Sequence, residues 1–142
     1  MLIVSLILIG GFFLLPKNAL AINKQINFQG KVVNTDGTNV TDQSYTFLFC
    51  IYTTASPSTP CTSGSLGDAI WKESKSLTTT ASIFQTNLGD ATALPSTVTL
   101  NVDQLYLGIN FNNNGQMSPL VQFTAAPYAI NADNANTLET KT

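Results

Sequence analysis

The chain contains no histidine, and its six basic residues are all lysine, so arginine is missing as well. Without histidine the Ser-His and Cys-His pairs of nucleophilic catalysis cannot be assembled. Metal sites built on imidazole are excluded with them. Charged residues make up only 10% of the chain and the net charge is −2. Such a chain lacks the electrostatic footprint of a nucleic-acid binder, so nucleic acid is not an expected partner. Cysteine is scarce too. Cys50 and Cys61 are the only pair, too few for a cysteine zinc site and not spaced as a C-x-x-C redox motif.

What is present begins with a hydrophobic run. Met1 to Leu15 reads MLIVSLILIGGFFLL and is broken by Pro16. About 14 apolar residues span about 21 Å as a helix, short of a bilayer core of about 30 Å. Ala19-Leu20-Ala21 supplies the small-x-small pattern read by signal peptidase. The segment 1–21 therefore reads as a signal peptide cut after Ala21, with Ala19 and Ala21 as the recognised small residues. That places the rest of the chain outside the cytoplasm, extracellular or at the cell surface. Leu2 follows Met1 where a basic residue normally stands, so an uncleaved anchor is the alternative. Ile22 stands where a lipoprotein signal would need cysteine. In an exported chain two cysteines suggest a disulfide, Cys50–Cys61, closing a loop that holds Pro57 and Pro60. A loop of this length contributes roughly 3 kcal/mol in the chain-entropy model.

Strand signals dominate the remainder. Ile26, Phe28, Gly30 and Val32 alternate with polar residues, and Asn34-Thr35-Asp36-Gly37 follows as a turn. Ser44 to Thr53 is apolar on both faces and reads as a central, doubly covered strand. Residues 54–68 form a Ser/Thr/Pro/Gly loop. Ala69 to Lys75, Ser82 to Leu88, Leu105 to Phe111 and Leu120 to Thr124 read as further strands, and Val98-Thr99-Leu100 as an edge pairing. Asn112 to Gly115 is a turn. The fold class is all-β, an antiparallel β-sandwich of about six to eight strands over 22–126, preceded by the signal helix. Residues 127–142 read as a linker or the start of a spacer. Within them Ala129, Ala132, Ala135 and Leu138 form a thin helical stripe.

A search for chemistry finds little. The acids Asp36, Asp42, Asp68, Glu73, Asp90, Asp103, Asp133 and Glu139 are scattered singly. Ser63-Gly64-Ser65-Leu66-Gly67 lacks the first glycine of a nucleophile elbow. No catalytic residue, cofactor or metal is expected. Asn34, Asp36, Asn39 and Asp42 leave calcium near Asp36 as an alternative, although an EF-hand needs a denser acidic pattern. Asn39-Val40-Thr41 matches a glycosylation sequon. The aromatics Phe28, Tyr45, Phe47, Phe49, Trp71, Phe84, Tyr106 and Phe111 follow strand periodicity and read as core. Tyr52 and Tyr106 fall opposite their strands' main apolar sets and are expected to be exposed rings for surface contact.

The order of landmarks resembles a module of exported bacterial proteins. Ile26-Asn27-Phe28-Gln29-Gly30-Lys31 is similar to its opening I-N-[YF]-Q-G-[RK]. Asp36-Gly37, then Tyr45-Thr46-Phe47 and Ile51-Tyr52, resemble its second strand. Ile70-Trp71-Lys72-Glu73 resembles its W-x-E strand, and Phe84 with Leu88-Gly89 its F-x-x-x-L-G strand. Leu105-Tyr106-Leu107-Gly108-Ile109, Met117-Ser118-Pro119 and Ala126-Pro127-Tyr128-Ala129 resemble its last third. Ala81-Ser82 replaces the usual Asn-Gly, and Leu120 replaces a common Arg. The resemblance implies an N-terminal β-sandwich domain of a bacterial surface or tail-fibre-like protein, non-enzymatic, structural or adhesive.

On this reading Cys50–Cys61 stiffens the 54–68 loop, which the sheets hold outward together with 89–103. The partner is a surface protein or a glycan. A secreted carbohydrate-binding module is the alternative. A homo-oligomer, a trimer in particular, would form through a C-terminal extension. The bare start at Leu2 and the ending Glu139-Thr140-Lys141-Thr142 read as the borders of a piece of a longer exported protein.

Overall fold

The computed structural model describes residues 24–95, 98 and 104–124. The signal segment with Ala19 and Ala21, most of the 98–100 edge pairing, and the 127–142 tail lie outside these residues. Six strands are present among the described residues: β1 (Ile26–Lys31), β2 (Ser44–Tyr52), β3 (Trp71–Thr78), β4 (Ile83–Leu88), β5 (Leu105–Phe111) and β6 (Val121–Phe123). The described chain is all-β, with no helix. It forms two antiparallel sheets, one of order β1-β4 and one of order β3-β2-β5-β6.

Strand β2 is central in the larger sheet and is buried on both faces from Phe47 onward. Its register sets Ile51 beside Trp71 and Leu107, and Cys50 beside Lys72 and Gly108. Strand alternation then divides its side chains. Phe47, Phe49 and Ile51 share the inner face with β1 and β4. Leu48, Cys50 and Tyr52 share the outer face.

On the inner face, rings from the two sheets meet. Phe84 of β4 lies 4.3 Å from Phe47, and Phe28 of β1 lies 6.3 Å from Phe49, between ring centroids. Trp71, Leu88, Val98, Leu105 and Leu107 complete this core. Each large apolar side chain buried here stabilises by about 1.5–3 kcal/mol. Gly30 makes the ring arrangement fit. It pairs with Phe84, and a Cβ on it would stand 2.7 Å from the Phe84 ring.

Two hairpins turn through positive φ without glycine at the corner. Ala81 (φ 51°) and Ser82 (φ 67°) join β3 to β4, and Thr80 and Ile83 exchange backbone bonds of 2.9 and 3.0 Å. This is the geometry of a two-residue hairpin turn, for which Asn-Gly is the favoured pair. Asn112 (φ 50°) and Asn113 (φ 59°) take the corner after β5, where the Asn114 N–H donates to the Phe111 carbonyl at 3.0 Å and Gly115 (φ 99°) completes a longer turn.

The 54–68 loop departs from expectation. It does not project from the sheet. It lies back over the outer face, because its midpoint, Cys61, is bonded to Cys50 and is 1% exposed.

Candidate functional site

The outer face is built around that bond. Cys50 and Cys61 form a disulfide with Cα atoms 5.7 Å apart. Tyr52, expected to be exposed, is 1% exposed. It is a core residue of the second cluster, with Leu48, Cys50, Cys61 and Ala69. Two features bury it. The flap covers it, and Gly108 on the neighbouring strand makes room, since a Cβ there would stand 2.8 Å from the Tyr52 ring. Its hydroxyl lies 3.2 Å from the Thr59 carbonyl and 3.1 Å from Gln116 Oε1, and donates to one at a time. Burial, and then the negative charge of Asp68, push this hydroxyl's pKa up. Tyr106 stands opposite Tyr52 in register, half-buried at the edge of the same cluster.

Side chains that the sequence reading did not single out hold the flap down. Gln116 Oε1 accepts the Cys61 N–H at 2.7 Å, and Asn110 Nδ2 donates to the Cys61 carbonyl at 2.8 Å. Lys72 Nζ donates to the carbonyls of Thr62, Gly64 and Ser65 at 2.9, 2.7 and 2.6 Å. Asp68 Oδ2 accepts the N–H groups of Ser58 and Thr59 at 2.6 and 3.0 Å. Ser63-Gly64-Ser65 thus lends carbonyl oxygens to a lysine, and no elbow forms. Among these residues the one sequence signal was Gly108, a glycine inside a strand.

The inner side of β3 performs the same task on another loop. Trp71, Glu73 and Lys75 alternate onto one face. Glu73 is 1% exposed. Its Oε1 accepts the N–H groups of Ala91 and Thr92 at 2.9 and 2.7 Å, and its Oε2 accepts that of Gly89 at 3.2 Å. Trp71 Nε1 donates to the Thr92 carbonyl at 2.9 Å. Lys75 Nζ donates to the Asn87 carbonyl at 2.8 Å and to the Asp90 carboxylate, and lies 3.9 Å from Glu73 Oε2. The W-x-E spacing therefore clamps residues 89–92. A buried carboxyl group caged by backbone N–H groups is satisfied where it stands and serves the loop.

The Asn34–Asp42 segment binds itself. Asp36 Oδ1 accepts the Thr38 hydroxyl at 2.6 Å and the Thr38 N–H at 2.9 Å, and these bonds, the hydroxyl first, hold its pKa below the ordinary value. Asn34 Nδ2 donates to Thr38 Oγ1 and to the Asn39 carbonyl. Asp42 Oδ1 faces the Ser82 N–H at 3.4 Å. Among the described residues no group of three or more Asp, Glu, Cys or His side chains is placed to hold a metal ion.

An apolar cleft of about 210 Å³ opens between the two sheets on the β1 and β6 side. Phe28, Val32, Leu107 and Ile109 line it. Met117 and Val121 stand at its mouth, 38% and 42% exposed.

Two antiparallel sheets around an aromatic core, with one disulfide-pinned flap and one carboxylate-clamped loop, define a small all-β domain. The match of residues 27–120 to a domain of unknown function, DUF8740, shows that the chain belongs to that family. No curated protein and no solved structure matches the chain.

Proposed function

We propose that the chain is an exported, non-enzymatic β-sandwich module of a bacterial surface or fibre protein, which works by presenting a rigid surface to a partner. The observation that carries this reading is the destination of six charged side chains among the described residues. Asp36, Asp68, Lys72 and Glu73 are bonded to nearby backbone or hydroxyl groups, and Lys75 and Asp90 to each other. Groups fixed in this way hold loops in place. General acid–base work instead needs a group within reach of a substrate proton. A closed disulfide in a two-cysteine chain agrees with an oxidising compartment.

The partner in this reading is a surface protein or a glycan, and trimerisation belongs to a C-terminal extension. The carbohydrate-binding alternative rests on Tyr106, since Tyr52 is covered. A glycan array on the wild type and Tyr106→Ala separates the two readings. Export is tested by labelling intact cells with a membrane-impermeant reagent, followed by N-terminal sequencing and thiol counting. The expected product is labelled, begins at Ile22 and has no free thiol. A cytosolic chain that retains Met1 and two free thiols overturns the proposal.

A further inference from the structure

Asp36-Gly37 and Asn114-Gly115 are the only places where an Asp or Asn precedes a glycine. A glycine has no side chain to shield its backbone nitrogen. In such a pair that nitrogen can attack the side-chain carbonyl carbon of the residue before it and close a five-membered imide. The two turns hold these atoms differently. The Gly37 N–H donates to the Asn34 carbonyl at 2.9 Å, and Asp36 Oδ1 accepts the Thr38 hydroxyl and N–H. Those bonds to Asp36, the hydroxyl first, also keep its carboxyl ionised, a poor electrophile. Asn114 and Gly115 are both exposed. Among the described residues neither the Asn114 side-chain amide nor the Gly115 N–H has a hydrogen-bond partner, and a Cβ on Gly115 would meet nothing within 4 Å.

We propose that Asn114 is a self-modification site, which deamidates in the folded chain and thereby loosens the 54–68 flap. The Gly115 nitrogen bonds to the Asn114 side-chain carbon, and the carbon–nitrogen bond of the side-chain amide breaks. The amide nitrogen leaves as ammonia, taking up the proton that Gly115 gives away. Water then opens the imide. Opening at the side-chain carbonyl gives aspartate, and opening at the main-chain carbonyl gives isoaspartate, whose backbone runs through Cβ. Water is the only co-reactant, so the step does not depend on export or on the function proposed above. Gln116 stands two residues on. Its Oε1 accepts the Cys61 N–H at 2.7 Å, and it is bridged to Asn110 of β5. Isoaspartate adds one backbone atom to the turn between Phe111 and that bridge, which shifts Gln116 away from the flap.

The test is ageing of the folded full chain in mildly alkaline buffer, which favours loss of the Gly115 proton. Peptide mass spectrometry and an isoaspartyl methyltransferase assay read the products. The Asn114 peptide is expected to gain the mass difference between water and ammonia at least about tenfold faster than peptides carrying Asn34, Asn39 or Asn87, which precede residues with side chains. Asp36-Gly37 is expected to form isoaspartate only after unfolding in urea. Asn114→Gln, whose ring would be six-membered, should age without conversion. In aged wild type the Cys61 amide exchanges at least about tenfold faster than in fresh protein, and aged Asn114→Gln keeps its protection. A folded chain that gains no mass at Asn114 overturns the site. Full conversion with the Cys61 amide still protected overturns its effect on the flap.

Discussion

At the scale of single residues, Thr86 and Glu73 are two polar groups in one apolar interior. Thr86 lies on the inner face of β4 between Phe84 and Leu88, and its hydroxyl has no hydrogen-bond partner. Thr86→Val keeps the shape and removes the unpaired oxygen, so it is expected to stabilise the fold by about 1 kcal/mol in urea unfolding. A loss of stability would show that the hydroxyl is bonded after all. Glu73 is the opposite case, because three backbone N–H groups depend on it. Glu73→Ala strands these donors and is expected to cost about 3 kcal/mol by the same measurement. Amide exchange at Ala91 and Thr92 should rise with it. A cost well below 1 kcal/mol, with those amides still protected, would remove the clamp from the account of this loop.

At the scale of elements, the 54–68 flap depends on one covalent bond and a set of hydrogen bonds to its backbone. Reduction of Cys50–Cys61, or Cys50→Ala/Cys61→Ala, is expected to lower stability by roughly 3 kcal/mol. It should also open the flap to proteases near Ser56–Thr59 while the sheets persist. A flap that stays resistant after reduction would assign its position to Lys72 and Gln116 alone. Much at this scale was legible in the sequence. Period two located β1, β4 and β5, and the apolar faces of Tyr45 to Tyr52 identified the strand that sits between two neighbours. The flap was misread, because its Ser/Thr/Pro composition describes solvent exposure on one side and says nothing of the other. Cys61 held the missing information: a half-cystine bonded to the outer face of a central strand draws its loop onto that face. Tyr52 was misassigned for the same reason, since alternation gives the face of a side chain but not what covers that face. The Ala81-Ser82 corner shows a further limit. Neither residue favours positive φ, yet the strands on either side impose it. The pairing of β1 with β4, across more than 50 residues, has no local signature at all.

At the scale of the whole molecule, acid is the perturbation to watch. Asp90 and Asp36 titrate below their ordinary value of 3.8, Asp90 chiefly through the bond from Lys75 and Asp36 through the Thr38 hydroxyl. A carboxyl with a lowered folded pKa adds stability that is complete above its ordinary pKa. That contribution is lost as the pH falls through the lowered value. The melting temperature is therefore expected to fall on acidification below about pH 4, and Lys75→Met should remove the share due to Asp90. An identical acid profile in Lys75→Met would exclude that pair from the pH response.

The disulfide also sets how far the molecule extends under tension. Cys50 and Cys61 are separated by 11 residues in sequence and by 5.7 Å in space. Fully stretched, that stretch of chain would reach about 38 Å. A module pulled from its ends in the oxidised state thus withholds about 30 Å of contour length. Reduction releases this slack even though no strand lies wholly within the bridged loop. For a domain placed under load, the bridge makes tether length a redox-dependent quantity, readable as a single step in force spectroscopy.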